Sequence, residues 1–156
     1  MILKYQKTTK HFDERHSVTT TLAVPDYVDD DTAPRSTELC TIGSDTYVHW
    51  PDEIELLEQP IEISESVETV TLTPELMAEI KALSPHVQLS YERLQNRIRS
   101  KYSIEDEQAY TRFSIGALAG TYTMKPHEPA EIAEYQAWVE ESREIARLER
   151  VALGLG

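Results

Sequence analysis

Few groups along this chain can do chemistry, and His11 and His16, in H-F-D-E-R-H, are the first met. A zinc hydrolase pattern sets two imidazoles at i and i+4 on a helix, with glutamate beside the first, so that both rings reach one ion. These two stand five apart in a segment without helical period, and no metal is expected there. Asp26, Asp29, Asp30 and Asp31 offer the oxygen donors that a hard cation takes from a flexible loop. They lack the D-x-D-x-D-G alternation, so a solvated acidic loop is the expected state. Cys40, the single cysteine, stands in an expected strand with no base nearby in sequence, and reads as a small buried residue rather than a nucleophile. The patterns G-x-x-x-x-G-K-[ST], G-x-S-x-G and G-x-G-x-x-G are absent, and five glycines leave little for a phosphate cradle. No cofactor is expected.

Charge changes sign within residues 98–108, I-R-S-K-Y-S-I-E-D-E-Q, basic up to Lys101 and acidic from Glu105. A catalytic carboxylate needs a proton-transfer partner within reach, and no histidine or cysteine is near in sequence. Ser103-Ile104-Glu105-Asp106 instead has the S-x-x-D form of a capping box, in which Ser103 accepts from the Asp106 N–H and the carboxylate reaches back. Acids in a first helical turn and Lys101 in the last turn of the preceding helix both suit the macrodipole. The expected role of the cluster is therefore to end one helix and start another.

The elements around these groups divide into two styles. In residues 16–24, Val18, Thr20, Leu22 and Val24 alternate as on a half-buried strand, which Pro25 ends. Residues 26–37 read as a polar loop. Residues 39–42 and 46–50 flank Gly43-Ser44-Asp45, which predicts a hairpin with a three-residue loop. Residues 61–72 are rich in β-branched side chains but change parity between Ile63 and Val70, as a strand interrupted by a bulge near residues 64–66 does.

From Thr73 the period becomes helical. Thr73 is the expected N-cap and Pro74 the first helical residue, with Leu76, Ile80 and Leu83 on one face. Ser84-Pro85 repeats the device, and Val87, Tyr91, Leu94, Ile98 and Tyr102 form the next apolar stripe. Arg93, Arg97, Arg99 and Lys101 lie outside that stripe, expected to pair with acids of this chain or of a neighbour. A third helix carries Tyr110, Phe113 and Ala117 on one face, and Gly116 with Gly120 marks close contact or a C-cap. Pro129 opens the longest helix, with Ile132, Tyr135, Val139, Ser142 and Ala146 inward and Trp138 and Ile145 widening the face. The expected fold is α+β: short N-terminal strands and a hairpin over residues 1–72, then a bundle of about four helices over residues 73–156, packed as one domain. Thr73, Ser84, Ser103, Asp106, Tyr135 and Trp138 serve as caps and core.

The formal charge of -13 is unevenly spread. Residues 1–83 hold 6 basic and 17 acidic side chains, a net of -11, and residues 84–156 hold 9 and 11, a net of -2. Affinity for phosphates comes mainly from Lys and Arg displacing counterions, so this balance argues against direct nucleic-acid binding. The N-terminal M-I-L-K-Y-Q-K-T-T-K has too short an apolar run for a secretory core, and no stretch is long enough for a membrane span.

Residues 98–108, followed after Pro129 by A-E-Y-Q-A-W-V-E-E, resemble the C-terminal part of small proteins encoded in the tail modules of tailed bacteriophages and prophages. In those proteins a basic helix ending in a Tyr-Ser turn runs into an acidic helix start, and a tyrosine-bearing, glutamate-rich helix follows. The resemblance covers about residues 84–150. It implies a non-enzymatic structural or adaptor component of a tail, baseplate or fibre attachment. Its expected partners are other tail proteins and copies of itself in a symmetric assembly. The expected location is the virion tail, assembled in the host cytoplasm. Arg93, Arg97, Arg99, Lys101 and Trp50 are the expected interface. Two alternatives stand beside it: a tail-fibre assembly chaperone, and an acidic mimic of DNA that inhibits a host defence protein. The mimic reading rests on residues 26–79, where 15 acids face Arg35 alone.

Overall fold

The computed structural model describes residues 1–25 and 35–156. The fold is α+β, with small antiparallel sheets first and the long helices after them. The chain divides into two units, Met1–Gln88 with Val151–Gly156 and Leu89–Arg150.

The first unit is organised by β1 (Ile2–Gln6), a strand the sequence hides. Sheet order is β4-β5-β1-β6, with β4 Thr37–Ile42, β5 Asp45–His49 and β6 Glu68–Val70. β1 pairs antiparallel with β5, Ile2 opposite His49, and with β6, Ile2 opposite Val70. Both faces of this sheet are covered. Leu3, Tyr5, Val48 and Trp50 pack with Leu22 and Ile63, while Ile2, Leu39, Cys40 and Tyr47 pack with Ile80, Val87 and Leu155. A strand buried on both sides shows an unbroken apolar run rather than alternation, which is why I-L-K-Y carries little strand signal.

The hairpin is tighter than expected. Ile42 pairs with Asp45, leaving a two-residue turn of Gly43 and Ser44. Gly43 has φ +63° at the first turn position, as a type II′ turn requires, and its twist matches the flanking strands. In β4 a bulge between Glu38 and Cys40 lets the consecutive Leu39 and Cys40 enter one core cluster.

Two β expectations are corrected. The strand over residues 16–24 is only β3 (Ser17–Thr20), paired with β2 (Thr8–His11) in a separate two-stranded ribbon. Val18 is exposed because the ribbon pairs only with itself, and Val24, beyond its end, is exposed as well; Leu22 is buried in the core. Residues 61–72 hold one helical turn, α1 (Ile61–Ser64), and then β6. The Ser66 hydroxyl donates to the Ile63 carbonyl at 2.7 Å, closing a turn that buries Ile63 and leaves Ile61 out.

The helices begin much as the sequence dictates. In α2 (Pro74–Leu83) the Thr73 hydroxyl accepts from Leu76 N–H at 3.3 Å with Pro74 at the first position. α3 (Pro85–Arg99) follows at once, with Ser84 held extended ahead of Pro85. Ser84 is not a side-chain cap: its hydroxyl is buried and has no hydrogen-bond partner among the described residues, and its carbonyl accepts from Gln88 N–H instead. Because Ile80 and Val87 share the core of the sheet, the chain divides after Gln88 and not at the expected 72/73 boundary.

In the second unit, α4 (Ile104–Leu118) opens with the complete capping box. Asp106 N–H donates to the Ser103 hydroxyl at 3.1 Å, and Ser103 N–H donates to the Asp106 carboxylate at 2.8 Å. The Ser103 hydroxyl and then its backbone N–H hold the Asp106 carboxyl below its ordinary value. The expected effect of Ser103→Ala is a loss of about 1 kcal/mol in urea denaturation, the usual cost of removing such a cap. No change would mean that the box does not hold in solution.

α4 ends at Gly120, φ +70°, where Thr121 N–H reaches Gly116 O and Gly120 N–H reaches Ala117 O, a Schellman closure. A Cβ on Gly116 would meet Tyr122 Cβ at 2.8 Å, so the chain turns back against the helix there. α5 (Glu128–Val151) begins with the Glu128 carboxylate accepting from the Tyr122 hydroxyl and Lys125 N–H, both at 2.8 Å. Ser90, Ser142 and Ala146 are buried small residues, and the Ser90 hydroxyl donates to Ala146 O at 3.2 Å, which brings α3 and α5 close.

Candidate interaction surface

The basic row of α3 lies along acids of α5. Arg93 reaches Glu149 at 3.5 Å, Arg97 reaches Glu141 at 2.7 Å and Lys101 reaches Glu134 at 2.8 Å. Basic side chains four residues apart, along α3 and the turn that follows it, thus meet carboxylates seven or eight apart on α5. The Arg97 guanidinium also stands 4.5 Å from the Trp138 ring centroid, and the indole N–H donates to Arg97 O at 3.2 Å. Three of the four expected basic interface residues therefore pair within their own chain. The Arg99 side chain has no ion pair or hydrogen bond among the described residues.

Trp50 is not an interface residue: it is 0% exposed, and its indole N–H donates to Ile54 O at 2.8 Å. The reason is the sheet's second covered face, where Trp50 joins Leu3, Tyr5 and Val48. Tyr135 and Trp138 are both partly buried. Tyr135 packs edge-on to Tyr102 at 5.1 Å, and its hydroxyl donates to Glu107 at 2.7 Å. Burial, and then that hydrogen bond, push its phenol up to about 12.

The expected chemical groups stand apart from one another. The His16 ring hydrogen-bonds to Asp13 in an exposed turn, with Nδ1 2.7 Å from the carboxylate. Cys40 is a buried free thiol, and burial first raises its pKa above the ordinary value. Among the described residues no group of His, Cys, Asp and Glu is placed to hold a metal. Asp26, Asp29, Asp30 and Asp31 lie outside the described residues. Among the described residues no helix is long and apolar enough to cross a membrane.

What the sequence reading overlooked is the outer side of α4. No residue of this helix is buried, and Ile104 is 45%, Ile115 61% and Leu118 90% exposed. Gln108 and Thr111 are exposed between them. The five positions recur at spacings of 4, 3, 4 and 3, a signal present in the sequence but masked by the inward face of Tyr110, Phe113 and Ala117. Beside them, between α4 and α5, run two hollows of about 540 and 210 Å³ that share Thr111 and Tyr135. Glu107, Gln108 and Arg112 line the first, Ile115 and Ile132 the second. Burial, followed by the carboxylates of Glu131 and Asp106, raises the Tyr110 phenol above its ordinary value.

The surface thus consists of an α+β chain's neutralised basic row and one uncovered helix face. Comparison with family models, with curated proteins and with solved structures finds no match to this chain.

Proposed function

We propose that this chain is a non-enzymatic adaptor that acts by packing against other proteins, and that it belongs to a tail or baseplate of a phage-like particle. The observation that carries the adaptor reading is the outer face of α4, where Ile115 and Leu118 stand in solvent on a helix whose other side is already used. Exposed apolar side chains clustered in this way and rimmed by Glu107 and Arg112 mark interaction sites. The particle reading rests on the resemblance of residues 84–150 to small tail-module proteins, in which such helices serve a structural role. The expected partners are other tail proteins and further copies of this chain, and the expected location is the finished tail.

Quantitative mass spectrometry of purified particles from a strain carrying this gene tests the proposal. A fixed copy number that matches the symmetry of the tail is the expected result. Abundance in the lysate with none in the particle would overturn it in favour of an assembly chaperone or an inhibitor.

A further inference from the structure

The five exposed positions of α4 have the spacing of a coiled-coil seam. With Gln108 and Ile115 at a, the d positions are Ile104, Thr111 and Leu118. In this register Glu107 falls at g and Arg112 at e, the two flanks of the seam. Glu107, Gln108, Thr111 and Arg112 also line the larger hollow. These g, a, d and e positions are where a side chain from a facing helix inserts when knobs enter holes.

We infer that the outer face of α4 is a self-association surface on which α4 of a second copy packs parallel and in register. Two features select this occupant. Charge complementarity is the first: in a parallel pair, g of one helix faces the following e of the other, which sets Glu107 against Arg112 of a second copy twice over. The Glu107 carboxylate accepts from Tyr135 at one oxygen, leaving the other for this contact. Arg112 uses its Nε on Gln108 O and keeps its Nη groups. The polar layers are the second. Parallel, in-register packing stacks Gln108 on Gln108 and Thr111 on Thr111, where amides and hydroxyls can satisfy each other. Antiparallel packing pairs a with d and g with g, so it sets Gln108 against Thr111 and does not bring Glu107 to Arg112 of the second copy. A polar a position fixes register in this way at some cost in affinity.

The seam is about two heptads long and two of its five positions are polar, so a weak contact is expected in free solution, strengthened where a symmetric assembly holds copies together. This deepens the adaptor proposal by naming one of its partners. Association without particle incorporation would leave the seam standing and remove the particle; incorporation without association would do the reverse.

The test is sedimentation equilibrium of the full chain up to several hundred micromolar, with the exposed-face variant I115E/L118E alongside and circular dichroism to check that both fold. The wild type is expected to self-associate, and the variant to remain monomeric at every concentration. A monomeric wild type, or a variant that associates equally well, overturns the inference. Orientation is read from disulfides formed under mild oxidation by I104C and I115C, singly and mixed. Each single variant is expected to cross-link to itself; a mixed 104-to-115 bridge as the main product overturns the parallel arrangement.

Discussion

Trp50→Ala is expected to lower stability by about 3–5 kcal/mol, the range for emptying a buried aromatic site. Trp50 is fully enclosed by Leu3, Tyr5, Val48 and Ile63, so truncation leaves a cavity that these β-sheet side chains cannot collapse to fill. It also removes the donor to Ile54 O at 2.8 Å, leaving that carbonyl to find another partner. Trp50 N–H donates to Met1 O at 2.9 Å, so the residue also lies where β5 meets the start of β1. Urea denaturation followed by far-ultraviolet circular dichroism measures the loss. A fall of less than about 1 kcal/mol would place Trp50 at the surface, as an interface residue would be, and would contradict the covered second face of the sheet.

The second large effect separates two residues that the helical period treats alike. Ile80 and Leu83 stand three apart on α2, yet Ile80 is 0% and Leu83 50% exposed. Ile80→Ala is expected to cost about 2–5 kcal/mol, because it opens the cluster formed with Ile2, Tyr47, Val87 and Leu155. Leu83→Ala is expected to change stability by no more than about 1 kcal/mol, since a half-exposed side chain recovers little on burial. Both are read as shifts in urea midpoint at constant slope. Equal losses at the two sites would mean that α2 lies on the sheet in a different rotation.

That contrast also shows where sequence reading stops. A period of 3.6 says which side chains share a face, but not which of them a neighbouring element covers. α2 is ten residues long, and the sheet beneath it takes Ile80 while Leu76 and Met77 are only partly enclosed. The same limit applies to α4. The 4-3-4-3 spacing of Ile104, Gln108, Thr111, Ile115 and Leu118 is written in the chain, but their exposure depends on what the rest of the fold leaves uncovered.

The sequence by itself determined what is settled within about four residues: Thr73 and Pro74 starting α2, the Ser103–Asp106 box starting α4, and Gly120 ending it. These depend on local hydrogen bonds whose partners the chain places automatically. It also determined the α+β class, because period two gives way to period 3.6 after Leu72. Only the tertiary structure decided that Ile2–Gln6 is a central strand, that Trp50 is core, that Ser84 caps nothing with its side chain, and that Arg93, Arg97 and Lys101 pair with α5. Each of these turns on contacts between residues far apart in the chain, such as Ile2 with His49 and Lys101 with Glu134. Local propensity carries no information about such pairings; the burial of apolar surface, summed over the whole fold, selects them.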